Sequence, residues 1–260
     1  MSLTDNSLTL EDTRFLFVTS ANRNAGNNNR FTIYLPSSLI SNYNNKQKYL
    51  RVSMTDITVP YTWYNVQTNI NDTITYFDGT DTTTVKIPEG NYSVYTLLTQ
   101  LNILLPEYTV TYNVDNNKYT FSTGTPTATI NPVNSGKLLG LVDGVEKTGT
   151  FTSTLPVNMS IYSMLYLNTD LNSTDTNLDN MSGKGMDNST ILDSIPILAA
   201  PFDSIYYEGI NPASFNVSVN GSQLSSITLY LTTNTGQELN SLVSPWCCTL
   251  QLQIFNKEQD

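Results

Sequence analysis

Residues able to do chemistry are few in this chain, and their spacing argues mostly against catalysis. There is no histidine among the 260 residues. That removes the commonest general base and the commonest metal ligand together, so a Ser-His-Asp or Cys-His mechanism cannot be built from this chain. Asp170, Asn172 and Thr174 stand at alternate positions and could offer oxygens to calcium. A calcium loop of the EF type also needs Gly in sixth place and Glu in twelfth. Counted from Asp170, those places hold Asp175 and Met181, so the segment reads as a polar loop and no metal is expected. Glu11 with Asp12, and Asp203 with Glu208, are the nearest acid pairs. A glycosidase needs two carboxyl groups facing one bond, and nothing in these spacings imposes that. Gly136-Lys137 lacks the Gly and the Ser or Thr of a phosphate loop, since Asn131 and Leu138 stand there. The reading is of a protein without catalytic, cofactor or metal residues, and not an enzyme.

Composition narrows the partners. The net charge is −10, and basic residues form no run. A nucleic-acid surface needs clustered Lys and Arg to neutralise phosphates, so none is expected. The cysteines are Cys247 and Cys248 alone. Neighbours on a strand point to opposite faces, so they are not expected to bridge, which fits a reducing compartment. The N-terminus has neither a basic n-region nor an apolar h-region and is not expected to be a signal peptide. No apolar run approaches the ~18 residues of a membrane span.

The elements that must position these residues are mostly strands. Charged residues make up 13% of the chain, while 16 Tyr and 9 Phe supply apolar area. Thr and Tyr suit pleated, half-buried surfaces, and Asn and Ser suit turns. Strands are predicted over Arg14–Ser20, Phe31–Pro36 and Lys48–Pro60. In the last, Leu50, Val52 and Met54 share one parity and Ile57 and Val59 the other, which predicts a bulge near Thr55 or Asp56. Thr73–Phe77 and Thr82–Pro88 flank Asp78-Gly79 as a hairpin. Ser93 is a predicted N-cap for a helix carrying Val94, Leu97, Leu98, Leu101, Leu104 and Leu105, which Pro106 stops. Tyr108–Val114 and Lys118–Thr123 form a second hairpin, and Ser135–Gly144 an apolar turn. Further strands are predicted over Met159–Leu167, in ILDSIPILAA, DSIYYEG, SFNVSVNG and SSITLYLTTN, and in WCCTLQLQIF. The last places Trp246, Cys248, Leu250, Leu252 and Ile254 on one face. Regular short strands with turns between them predict a sandwich. The expected division is an N-terminal arm over 1–13, a sandwich over 14–72 and 145–260, and an inserted α+β lobe over 73–144.

One segment concentrates aromatic residues. VPYTWYNV, Val59 to Val66, carries Pro60, Tyr61, Trp63 and Tyr64. It could be a partner-binding surface or sugar platform, because Trp and Tyr are enriched at binding hot spots. It could equally be a corner, with Pro60 ending the strand, Trp63 plugging the core, and Tyr61 or Tyr64 touching a neighbour.

SANRN, VPYTWYN, IPEGNYSVYTLLTQLN, KLLGL, LDSIPIL and WCCTLQLQIF occur here in one order. Together they resemble the minor capsid, or penton, proteins of virophages, polinton-like viruses and related large DNA viruses. The resemblance covers about Ser20 to Phe255. It implies an all-β fold, a single jelly-roll β-sandwich, to which the 73–144 lobe would be an added insertion. It also implies a homopentamer at the vertex of an icosahedral capsid, bordered by a major capsid protein of double-jelly-roll type. The place implied is the virion, after assembly in the host cytoplasm. The contrasting expectation is a carbohydrate- or receptor-binding head, for which a host receptor or glycan would be the partner.

Overall fold

The structure is a computed structural model and describes residues 8–36, 48–171, 178–179, 187–188, 190–209, 217–220, 225–234, 236–239 and 242–257. Two compact units emerge, Met1–Trp63 with Tyr162–Asp260, and Tyr64–Ile161. The first unit opens with β1 (Leu8–Thr19), β2 (Ala25–Gly26), β3 (Arg30–Tyr34) and β4 (Lys48–Pro60). The second holds β5 (Thr73–Phe77), β6 (Thr82–Lys86), α1 (Val94–Leu104), β7 (Thr109–Asn113), β8 (Lys118–Ser122), β9 (Thr129–Pro132), α2 (Gly136–Leu139), β10 (Lys147–Thr148) and β11 (Phe151–Thr152). The chain returns to the first unit through β12 (Met164–Thr169), β13 (Leu178–Asp179), β14 (Asp187–Asn188), β15 (Ile191–Pro196), β16 (Ser204–Glu208), β17 (Val217–Asn220), β18 (Ser226–Thr233) and β19 (Cys247–Lys257).

The first unit is a jelly roll, and its pairing order shows why. One antiparallel sheet runs β1-β19-β4-β16, with β17 also on β4, and the other runs β15-β12-β18-β3-β2. So the first long strand pairs with the last, β3 with β18, β4 with β16 and β12 with β15. This nesting is that of one long hairpin rolled into two sheets. Alternation supplies the core between them. On β19, Cys248, Leu250, Leu252 and Ile254 are buried, and on β4 so are Leu50, Val52 and Met54. Ile57 and Val59 are buried on the opposite parity. The switch is made by a bulge, because Thr249 lies opposite Asp56 while Leu250 lies opposite Met54. Thr55 is the extra residue, where the change of parity predicted it. Each such Leu, Ile or Val contributes about 1.5–3 kcal/mol by leaving water.

Two strand expectations differ from what is observed. Leu8–Thr13 were expected in an arm, but β1 begins at Leu8, which lies opposite Lys257. The length of β19 offers these residues a ladder that local sequence does not reveal. Residues 1–7 of that arm lie outside the described residues. The strand expected from Met159 starts at Met164. Just upstream, the amides of Val157 and Asn158 donate to the carbonyls of Asn117 and Lys137, inside the second unit.

The second unit has its own core. β5 pairs with β6 and β9, β9 with β10, and β8 with β7 and β11. α1 starts at a capping box in which Ser93 Oγ accepts from the Thr96 amide and the Thr96 hydroxyl accepts from the Ser93 amide. Leu97, Leu101 and Leu105 form one stripe and pack with Ile74, Val110, Tyr119 and Phe121. α2 ends at Gly140, with φ of 67° and its backbone against Leu155, where a Cβ would lie 2.3 Å from the Leu155 carbonyl oxygen. Only glycine fits there. The unit spans 64–161, against the expected 73–144. β10 and β11 lie beyond Gly144, and Val66 bridges to Gly90 and joins the core.

Candidate assembly surface

Four of the aromatic-segment residues were singled out by sequence, and the structure treats them unequally. Pro60 is the last residue of β4 and lies opposite Ser204. Tyr61 and Trp63 are buried, at 4% and 1% exposure. Their rings stack with centroids 4.2 Å apart, and Trp63 also meets Tyr162 at 6.4 Å. Trp63 and Tyr162 are the residues at which the chain leaves and re-enters the first unit. Both crossings therefore spring from one aromatic cluster. Burial raises the Tyr61 pKa above the ordinary tyrosine range. Buried rings of this kind cannot stack on a sugar. Tyr64, the first residue of the second unit, is 42% exposed.

The second tryptophan closes the same end of the jelly roll. Trp246 donates its indole N–H to the Asn28 carbonyl at 2.6 Å, and its amide donates to Ser20 Oγ at 3.0 Å. Its ring meets Phe31 edge-on at 5.0 Å. These bonds hold the loop before β19 against the turn after β1. Thr19, Cys247, Thr58 and Tyr206 then fall in one row across the end of the sheet.

On the outer face of that sheet lies an open hollow of about 610 Å³, bordered by Phe17, Asn22, Asp56, Tyr206, Cys247 and Thr249 among others. Phe17 and Tyr206 are exposed, at 82% and 62%. In the hollow, Asp56 accepts from the Thr249 hydroxyl at 3.0 Å and the Thr55 hydroxyl at 3.1 Å. The one Thr55 hydroxyl proton is shared with the Thr249 carbonyl at 3.2 Å, so the Thr249 hydroxyl is the undivided donor to this carboxylate. Cys247 is a free, exposed thiol, while Cys248 is buried in the core, where burial raises its pKa and keeps it protonated. The two cysteines do not bridge.

Sequence reading set a break between β15 and β16 but missed the backbone conformation of the turn there. Ala200-Pro201-Phe202-Asp203 closes with the Asp203 amide on the Ala200 carbonyl at 3.1 Å. Phe202 has φ of 73°, the third position of a type II turn, which normally belongs to Gly or Asn. Pro201 signalled the turn, but no residue signalled a left-handed Phe. The turn is clamped to the aromatic segment, because the Phe202 amide donates to the Tyr61 carbonyl at 2.9 Å and the Tyr61 amide to the Asp203 carbonyl at 2.8 Å. Phe202 and nearby Leu198 are 72% and 89% exposed.

The acid pairs of the sequence do not converge on a reactive centre. Asp12 is paired with Arg14 at 2.8 Å, and Glu208 accepts from the Tyr206 hydroxyl at 2.5 Å. Asp170, from the calcium-like spacing, accepts from the Thr228 amide at 2.8 Å. Asn172 and Thr174 lie outside the described residues. Among the described residues, no group of three or more Cys, Asp or Glu could hold a metal ion, and no helix is long and apolar enough to cross a membrane.

No protein-family model and no curated protein matches the chain. Among solved structures, the crystal structure of the selenomethionine-labelled mavirus penton protein matches with a TM-score of 0.54 and 11% identity. The match covers 95% of this chain and 100% of that chain. The resemblance drawn from the ordered sequence segments is thus met at the level of fold: a single jelly roll with an inserted lobe, in a chain of matching extent.

Proposed function

We propose that this chain is a structural protein of an icosahedral capsid that forms its pentameric vertex. The observation carrying the reading is the extent of the likeness to a penton protein. It spans 95% of this chain, so it takes in most of the inserted unit as well as the jelly roll. A shared jelly roll alone would say little, because many unrelated proteins use it. The chemistry agrees. The acidic, histidine-free chain offers no catalytic set in sequence. The proposed partners are four further copies of the chain and a major capsid protein of double-jelly-roll type, in a virion. Unbridged cysteines are consistent with assembly in a reducing host cytoplasm.

A second reading, a receptor- or glycan-binding head, is favoured by one observation. The inserted unit has its own core and exposes Tyr95 at 57%. It predicts glycan or cell binding that Tyr95→Ala removes without unfolding.

The vertex reading is tested by light scattering of the purified chain over a concentration series. A discrete species of five 28.9 kDa chains is expected. A trimer contradicts the pentamer and favours a spike.

A further inference from the structure

One buried acid of the first unit has no part in the surface described above. Asp193 on β15 is 4% exposed and lies opposite Leu167, on the buried face of its sheet. A bulge stands beside it: Asp193 faces Leu167 while Ile191 faces Asn168, so Leu192 is the extra residue. Bulges re-aim a side chain, and Ile191, Leu192 and Asp193 are buried in succession. The Asp193 carboxyl reaches the other sheet. The Tyr207 hydroxyl of β16 donates to it, and Gly209, just past β16, leaves room for it. A Cβ on Gly209 would lie 2.9 Å from Asp193 Oδ2 and 3.0 Å from the Met54 carbonyl oxygen of β4, so no larger residue fits. The Gly209 amide is itself tied to β4, donating to the Thr55 carbonyl at 2.9 Å.

The neighbours of this carboxyl decide which charge state suits the seam. Oδ1 accepts from the Ser194 amide at 2.7 Å, and this bond and the one from Tyr207 favour the ionised form. The gap that Oδ2 borders is otherwise lined by carbonyl oxygens, those of Met54 and Thr55. Carbonyls are acceptors only, so they suit a protonated carboxyl and oppose an ionised one. Of the charged side chains described on β4 and β16, Arg51 lies against the Phe255 ring, and Asp56 and Glu208 accept from the Thr249 and Tyr206 hydroxyls. On β12, Tyr166 stands on the parity opposite to Leu167. Burial outweighs the two bonds and raises the pKa of Asp193. An Asn of the same shape would fit the same gap, so what the carboxyl adds is a proton that can leave.

We propose that Asp193 is a pH-operated catch on the seam where β15 of one sheet meets β16 and β4 of the other, closed while its carboxyl holds a proton and loosened when the proton leaves. A folded pKa above the ordinary one means that the catch holds fully below about pH 4 and weakens as pH rises through the folded value. Hydrogen exchange of the full chain, corrected for the intrinsic dependence of exchange on pH, reads the seam. In the parent, the amides of β15 and β16 should exchange severalfold faster at pH ~7 than at pH ~4. Asp193→Asn cannot ionise and should hold them near the parent's acid level throughout, while the amides of α1 match in both proteins. Tyr207→Phe removes a donor that steadies the ionised form, so it should move the parent's change to higher pH. Parent amides that do not respond to pH, an equal response in Asp193→Asn, or a response that Tyr207→Phe leaves in place would each overturn the catch. Should Asp193→Asn fail to fold, the parent's response and its shift in Tyr207→Phe still decide the outcome.

Discussion

The two units solve the problem of closing a β-rich core in opposite ways. The inserted unit pairs neighbours: β5 with β6, and β7 with β8, are hairpins, and α1 packs between them in sequence. The jelly roll pairs its extremes: Leu8 lies opposite Lys257, and Trp246 bonds Ser20, 226 residues away. Local closure costs little chain entropy, whereas long-range closure must be completed before its contacts stabilise anything. The jelly roll is also interrupted between β4 and β12 by the whole inserted unit. The Tyr61, Trp63 and Tyr162 cluster gathers the two strands of that interruption. The difference teaches that the insert is a module, and that the frame depends on the site where the module is spliced in.

The largest expected effect breaks the comparison outright. Residues 64–161 expressed alone should fold, with a cooperative melt and a near-ultraviolet circular dichroism signal from the Tyr119 and Phe121 cluster. A fragment without both would show that the unit leans on the frame. Next comes Trp63→Ala, which should cost the frame about 3–5 kcal/mol, the usual loss for a buried large aromatic. It leaves Trp246 as the sole tryptophan, so fluorescence follows the frame alone, and the insert's transition should stay where it was. Leu101→Ala should do the reverse, taking about 2–5 kcal/mol from the insert with the fluorescence of Trp63 and Trp246, both in the frame, unmoved.

Acid should separate the units more gently. Asp193, buried in the frame, has its pKa raised by burial, against bonds from the Ser194 amide and Tyr207. A raised folded pKa means stability present at low pH and lost as pH rises through it. In the insert, burial pushes Asp72 up, but hydrogen bonds led by the Thr73 hydroxyl and the nearby Lys86 pull it below the ordinary range. A lowered folded pKa means stability present above the usual carboxylate range and lost as pH falls. Asp193→Asn should therefore gain on the parent as pH rises from about 4 to 7. Asp72→Asn should lose to its parent most at neutral pH and approach it in acid. Melting temperatures against pH for each variant decide both signs.

The same contrast governs what could be read in the sequence. The helix was legible because its signals are local: Ser93 as cap, leucines at helical spacing, Pro106 as stop. The bulge at Thr55 was legible because burial on both sides of it leaves a switch of parity between Met54 and Ile57. The start of β1 at Leu8 was not, since its partner strand stands at the other end of the chain. Of the four aromatic-segment residues, Trp63 was legible as a core plug, but sequence could not sort buried Tyr61 from exposed Tyr64. Phe202 was invisible because its singularity is a backbone angle, and the residue type that would announce that angle, Gly, is absent. Exposed contact surface leaves no periodic trace of its own, so the candidate assembly surface needed coordinates.

The central claim is a location, and a particle reconstruction tests it most directly. Capsids assembled with this chain should show its jelly roll in five copies around each fivefold axis. Density for the chain at other positions in the shell, with the fivefold axes occupied by another protein, would contradict the account.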